Sequence, residues 1–209
     1  MLFLPPPPKL ATSLADDLID AAWEKYRPGE TKPEVVALFI RGYREKTMGD
    51  PDRNDVGMID DYALWRSPSQ RFHCNCNTDP SRIGWNPGVG KPYAMLQPGI
   101  WDFYPGAHRG KRPALRQADD AATAKRLGIR NEGKFLVKRM WGWDDPRNYD
   151  EWGHQQINIH PMSVSSTSSW ACLTIPIDYV SPWLGGVTRA LSACSQATIP
   201  VALIEGPVV

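Results

Sequence analysis

The apolar and polar positions of the 209-residue chain sort into many short segments with two different periods. Leu14, Leu18, Ala21 and Ala22 share one face at helical spacing. Ser13 stands before them as a hydroxyl cap with acids close behind, which predicts an amphipathic helix to about Tyr26, ended by Pro28. The run at 35–40 is continuously apolar and β-prone, so it predicts a buried strand leading into Arg41-Gly42-Tyr43. Shorter strands are predicted at 62–65, 72–77, 93–96, 100–104 and 135–138. Alternation at 155–160 and apolar runs at 173–177 and 199–204 predict three more. Residues 117–127 read as a helix or an alanine-rich loop, and Pro182 starts a helix to about Cys194. Residues 48–61 and 141–152 read as turn-rich connections, and 84–113 is rich in Gly and Pro. Many short strands, two or three helices and no β-α-β rhythm predict an α+β, sheet-dominated fold with mixed or antiparallel strands.

The length suits one domain over 12–209, with its core at about 35–205, behind a proline-rich arm over 1–11. A formal net charge of +1 provides no electrostatic footprint for nucleic acid. The charge is unevenly spread. Ten Lys/Arg fall between Arg109 and Arg139 against Asp119, Asp120 and Glu132, a pattern that ordinarily makes a solvated face. From Trp152 onward only Asp178, Arg189 and Glu205 are formally charged, which predicts interior strands whose loops line a cleft. Cys74, Cys76, Cys172 and Cys194 do not form a dense disulfide framework, so the chain is expected to be made in a reducing compartment. No apolar run reaches membrane-spanning length, and the first four residues do not make a signal-peptide core. These features predict synthesis in the cytoplasm without a signal peptide and no stable membrane insertion.

The candidate chemistry lies between His160 and Cys172. A thiol needs a nearby base to act as a nucleophile at neutral pH, and a neighbouring imidazolium favours thiolate. Adjacent strands joined by the Ser/Thr-rich loop would bring the two together. The loop's hydroxyls and backbone N–H groups suit an oxyanion. The plain alternative is a small buried cysteine and a structural histidine.

This segment resembles the signature of the L,D-transpeptidase (YkuD-like) catalytic domain: a histidine, a variable loop, then Ser-x-Gly-Cys. His160, Ser169 and Cys172 fall on its histidine, serine and cysteine. The chain is more similar still to phage and prophage proteins with Asn158-Ile159-His160, Thr167-Ser168-Ser169 and Cys172-Leu173-Thr174-Ile175. Arg41-Gly42-Tyr43, Asn54-Asp55, Asp60-Asp61 and Asn77-Thr78-Asp79-Pro80 also match that group, so the resemblance spans about 39–204. It implies that the substrate is the peptide stem of peptidoglycan. Cys172 attacks a carbonyl beside a D-configured centre, and an amine or water resolves the thioester. His160 shuttles the proton, Ser169 completes the catalytic set, and backbone at Trp170 and Ala171 holds the oxyanion. Arg41, Thr167, Ser168, Thr174 and Asn158 are the implied substrate contacts, and no cofactor is implied. The chain departs from the family at Ala171 for glycine, Trp170 for histidine and Pro161 for glycine. It also lacks the arginine after the cysteine and has a shorter loop.

The resemblance implies a lysis enzyme or antibacterial effector that acts in the periplasm or cell wall after release or delivery, with an immunity or delivery protein as a possible partner class. The rival functions are a non-catalytic cell-wall-binding or phage structural protein with the same fold, and a muramidase. The acid pairs Asp60-Asp61 and Asp144-Asp145 read as turn residues, although Trp141, Trp143, Trp152 and Trp170 suit a sugar-stacking cleft. His73, Cys74 and Cys76 resemble half a metal site; the competing reading is a strand with two buried thiols.

Overall fold

A computed structural model describes residues 10–43, 59, 61–80, 92–142, 144–163 and 169–206. In chain order the elements are α1 (Thr12–Tyr26), β1 (Val36–Arg41), β2 (Asp61–Arg66), β3 (Arg71–Cys76), β4 (Tyr93–Leu96), β5 (Gly99–His108) and β6 (Arg112–Arg116). Next come α2 (Ala121–Leu127), β7 (Phe135–Met140), β8 (Tyr149–Gly153), β9 (Asn158–Pro161), β10 (Leu173–Ile175), α3 (Gly186–Ala193) and β11 (Ile199–Glu205). The fold is α+β and sheet-dominated, with mixed strand directions.

Eight strands form one sheet in the order β10-β9-β6-β5-β11-β1-β2-β3. Two pairs, β1 with β11 and β9 with β10, are parallel; the rest are antiparallel. The edges of this sheet meet. Asn77, just past β3, exchanges backbone hydrogen bonds with Thr174 of β10 at 3.0 and 2.8 Å. The sheet therefore closes on itself, and closure removes two exposed edges. Alternate residues fill the inside: Phe39, Trp65, Cys76, Phe103, Ile159 and Val201 belong to one buried cluster. Trp183, Leu184, Val187 and Leu191 of α3 and the π-helical turn before it join that cluster. On the outer face, Ile19 and Trp23 of α1 pack with Leu38, Ile40 and Leu64. The smaller sheet, β4-β7-β8, packs through Phe135 against Trp101 and Phe103.

Several elements differ from the sequence reading. The helix α1 starts one residue before Ser13, and its N-cap is Ala11, with no side-chain cap. Residues 121–127 form a helix because Asp120 caps it, accepting from the Thr123 N–H at 2.7 Å, and Gly128 ends it at φ 69°. β5 runs on to His108 through Pro105 and Gly106, and pairs with the unforeseen β6. The connection read over 141–152 contains β8, a largely exposed strand at the outside of the small sheet. The proline run, Asn54, Asp55, Asp60, Trp143 and the glycine-rich 84–90 lie outside the described residues.

Arg41 does not reach a substrate cleft. Its side chain is fully buried at the end of β1, between Asp79 at 2.9 Å and Glu205 at 2.9 Å. It also donates to the carbonyl of Leu96 at 2.9 Å and to Thr78 Oγ1 at 3.1 Å. Nearby, Asp61 accepts from the Gly42 N–H at 2.7 Å and the Thr78 N–H at 2.6 Å. The carboxylate contact expected of Arg41 is thus made inside the protein. It ties β1, β4, β11 and the 77–79 turn together. Removing one partner from such a group strands a buried charge. Arg41→Ala is expected to cost about 3–5 kcal/mol of folding stability. Urea unfolding measures this, and an unchanged midpoint would contradict the role.

Candidate active site

The site follows from strand parity. Ile157, Ile159, Leu173 and Ile175 point into the closed sheet, because they belong to its buried cluster. Residues one position away take the opposite face. In the parallel register Leu173 lies beside Ile159 and Thr174 beside His160. Cys172 thus comes level with Asn158, and on the other side Asn158 pairs with Arg116 of β6. The β5–β6 hairpin supplies the remaining wall. Its turn residues Arg109 and Gly110 both have positive φ, 51° and 67°. Two positive φ angles suit a tight hairpin turn, and in Arg109 a non-glycine residue carries one of them. Gly106 in β5 leaves room for Arg116; an added Cβ would sit 2.7 Å from Arg116 Cδ.

These elements enclose a cleft of about 400 Å³. Cys172, His160, Asn158, His108, Arg109 and Arg116 line it. Cys172 Sγ accepts from the Asn158 N–H at 3.4 Å, and the thiol donates toward the Gln156 carbonyl at 3.9 Å. Gln156 itself has a positive φ of 57°, which turns that carbonyl at the strand entrance. His160 donates through Nδ1 to the carbonyl of Pro161 at 2.8 Å. A carbonyl only accepts, so Nδ1 carries the proton and Nε2 keeps the lone pair. The ring of His108 stacks on His160, with centroids 4.3 Å apart and planes 20° from parallel.

The thiol and imidazole rest as neutral groups. Burial pushes the His160 pKa down to about 4; His108, Arg112 and Arg109 add repulsion, and the Pro161 contact opposes the shift. Burial also pushes the Cys172 thiol up, against the opposing effects of Asn158 hydrogen bonds and the Arg109 charge. The imidazolium that the sequence reading placed beside a thiolate does not form at neutral pH. Burial lowers His108 as well, helped by Arg109, Arg112 and Arg116.

The other expected site residues fall in different places. Trp170 stands exposed at the rim, and Ala171 lines the wall. Ser169 is buried and donates from Oγ to the Cys172 carbonyl, a contact that holds the chain just before the thiol. Thr174 is fully buried beside His160, where its backbone closes the sheet. Thr167 and Ser168 lie outside the described residues. His73 does not join Cys74 and Cys76: both thiols face the core, while His73 takes the other side, 3.3 Å from Tyr62 Oη. Among the described residues, no three His, Cys, Asp or Glu side chains are placed to hold a metal. Asp61 is spent on backbone amides, and Asp145 pairs with Arg147 at 2.7 Å. Asp119, ion-paired with Arg116, is the one carboxylate among the described residues lining the cleft. Among the described residues, the pair of carboxylates that a glycosidase needs is therefore not assembled there.

His108, Gln156, Arg109 and Arg116 were not singled out as site residues from sequence. The available signal was the basic run that begins just after a lone histidine. Among the described residues, no helix is long and apolar enough to cross a membrane. No family model, curated protein or solved structure matches the chain.

The neutral, buried His160 makes stability depend on pH. In the unfolded chain the same ring takes up a proton near its ordinary value of 6.5, whereas in the fold it does so only near about 4. The unfolded state binds more protons between those values, so stability falls as pH drops through that window and levels off below it. The loss from this residue is expected to be about 3 kcal/mol. Urea midpoints measured across the window should show that slope in wild type and a shallower one in His160→Gln. Equal slopes would contradict the assignment.

Proposed function

We propose that this protein is a cysteine-dependent acyl-transfer enzyme of the L,D-transpeptidase type, acting on the peptide stems of peptidoglycan. The observation that carries this reading is the convergence of Cys172 and His160, from adjacent parallel strands, on one cleft walled by Arg109 and Arg116. A cleft of about 400 Å³ suits a short peptide segment. The Arg109 guanidinium suits a carboxylate of a stem peptide, the task expected of Arg41, while Arg116 beside it is paired with Asp119.

In this mechanism the thiol turns from the Gln156 carbonyl toward His160 when substrate enters. Sulfur attacks the acyl carbon as its proton passes to His160 Nε2, and backbone N–H groups near Ala171 and Cys172 stabilise the oxyanion. Collapse releases an amine, which recovers the proton, and leaves a thioester on Cys172. An amine or water then resolves it. Action in the periplasm or cell wall after release or delivery belongs to the same proposal.

The buried thiol favours a second reading: a cell-wall-binding or phage structural protein that keeps the fold without the chemistry. Purified sacculi incubated with wild type and with Cys172→Ala discriminate the two. The enzyme reading expects altered muropeptides and an acyl adduct on Cys172 by mass spectrometry, both lost in the variant. Identical muropeptides from both proteins would refute it, and retention of both on sacculi would then support the binding module.

A further inference from the structure

The hydrogen bonds around the two stacked imidazoles fix their tautomers, and the tautomers differ. The Gln156 carbonyl can only accept, so the Asn158 side-chain atom that meets it at 2.8 Å is the NH₂ group. The same NH₂ group lies 3.1 Å from His108 Nδ1. His108 Nδ1 must therefore accept, and the neutral ring carries its proton on Nε2. His160 is the reverse: its Nδ1–H is held by Pro161, and its free lone pair is on Nε2. Two parallel rings in one cleft thus offer a proton acceptor and a hydrogen-bond donor. Asn158 links the pair to the nucleophile, because its backbone N–H holds Cys172 Sγ.

We infer that His108 is a second catalytic residue, whose Nε2–H donates to the oxygen of the tetrahedral intermediate while His160 Nε2 takes the thiol proton. This rests on the acyl-transfer reading above and adds a residue to it. The S–C bond forms, the thiol proton moves to His160, and the carbonyl electron pair moves onto the oxygen that His108 holds. Collapse then breaks the bond to the leaving amine, which takes the proton from His160. His108 stays protonated on Nε2 throughout.

Two probes separate this role from simple packing. Acylation by p-nitrophenyl acetate passes through an oxyanion and releases p-nitrophenolate; alkylation by iodoacetamide makes no oxyanion. His108→Phe keeps an aromatic ring to stack on His160 and removes the donor. It is expected to slow the acylation burst by about 100-fold while alkylation at a fixed alkaline pH changes less than about threefold. Equal loss in both reactions overturns the inference, since that marks a structural role, and so does no loss in either. Absence of any burst at Cys172 in wild type overturns the acyl-transfer reading and this inference together. A second measurement needs no folded variant. Nitrogen-15 spectra of histidine-labelled wild type should show His160 protonated on Nδ1 and His108 on Nε2 at neutral pH. His108 protonated on Nδ1 instead overturns its role and leaves the acyl-transfer reading standing.

Discussion

The whole site depends on the parity of two short strands. Ile159 and Leu173 are paired neighbours, and both are buried in the closed sheet. A slip of one residue in either strand would expose an isoleucine or a leucine and drive His160 or Cys172 into the core. Burying those apolar side chains therefore also sets which way the thiol and imidazole face. The Asn77–Thr174 bridge fixes the same register from the opposite side, because Thr174 is the residue beside His160. Sheet closure and placement of the candidate base thus share one residue. That accounts for a fully buried threonine where substrate contact was expected.

Charge is divided between two tasks. Arg41 holds the fold together from a fully buried position, paired with the buried Asp79 and with the outer carboxylate of Glu205. Arg109 and Arg116 lie at the cleft, on a hairpin shaped by a strained turn and by the space that Gly106 leaves. Guanidinium groups of the same chemistry serve stability in one setting and line an open cleft in the other, where Arg116 is paired with Asp119. The difference is the depth of burial and the identity of the neighbours.

The sequence was legible where one periodicity ran uninterrupted. The buried runs of β1 and β11 and the helix α1 follow from apolar spacing with boundaries shifted by one residue, and the alternation before His160 marks β9, which starts three residues later than expected. β8 was hidden because its residues are largely exposed, and β6 because its buried pair, Ala114 and Leu115, is too short a run to mark a face at the end of the Gly/Pro-rich stretch. The relation of His160 to Cys172 was readable because a parallel pair joined by one loop is local in sequence. Arg41 was misplaced because a family pattern asks for a cation without saying which one. His108 comes from a distant hairpin, and its approach to His160 depends on the register of three strands, β5, β6 and β9. No local pattern encodes such a contact.

The resting electrostatics set a condition on any chemistry in this cleft. His160 is a weak base as found, and Cys172 a reluctant acid, so spontaneous thiolate formation at neutral pH is suppressed. Burial is the main cause for both, with the nearby arginines adding to the suppression at His160. Under the proposed function, a substrate carboxylate lying against Arg109 would offset part of that positive field. Protonation of His160 would then be less costly at the moment of the proposed attack by sulfur. On that proposal one charge would serve both to bind the substrate and to ready the base. A thiol kept protonated until that point is protected from oxidation and alkylation, which act on thiolate. Neutrality at rest is consequently compatible with a nucleophile that becomes reactive only in the presence of an anionic substrate.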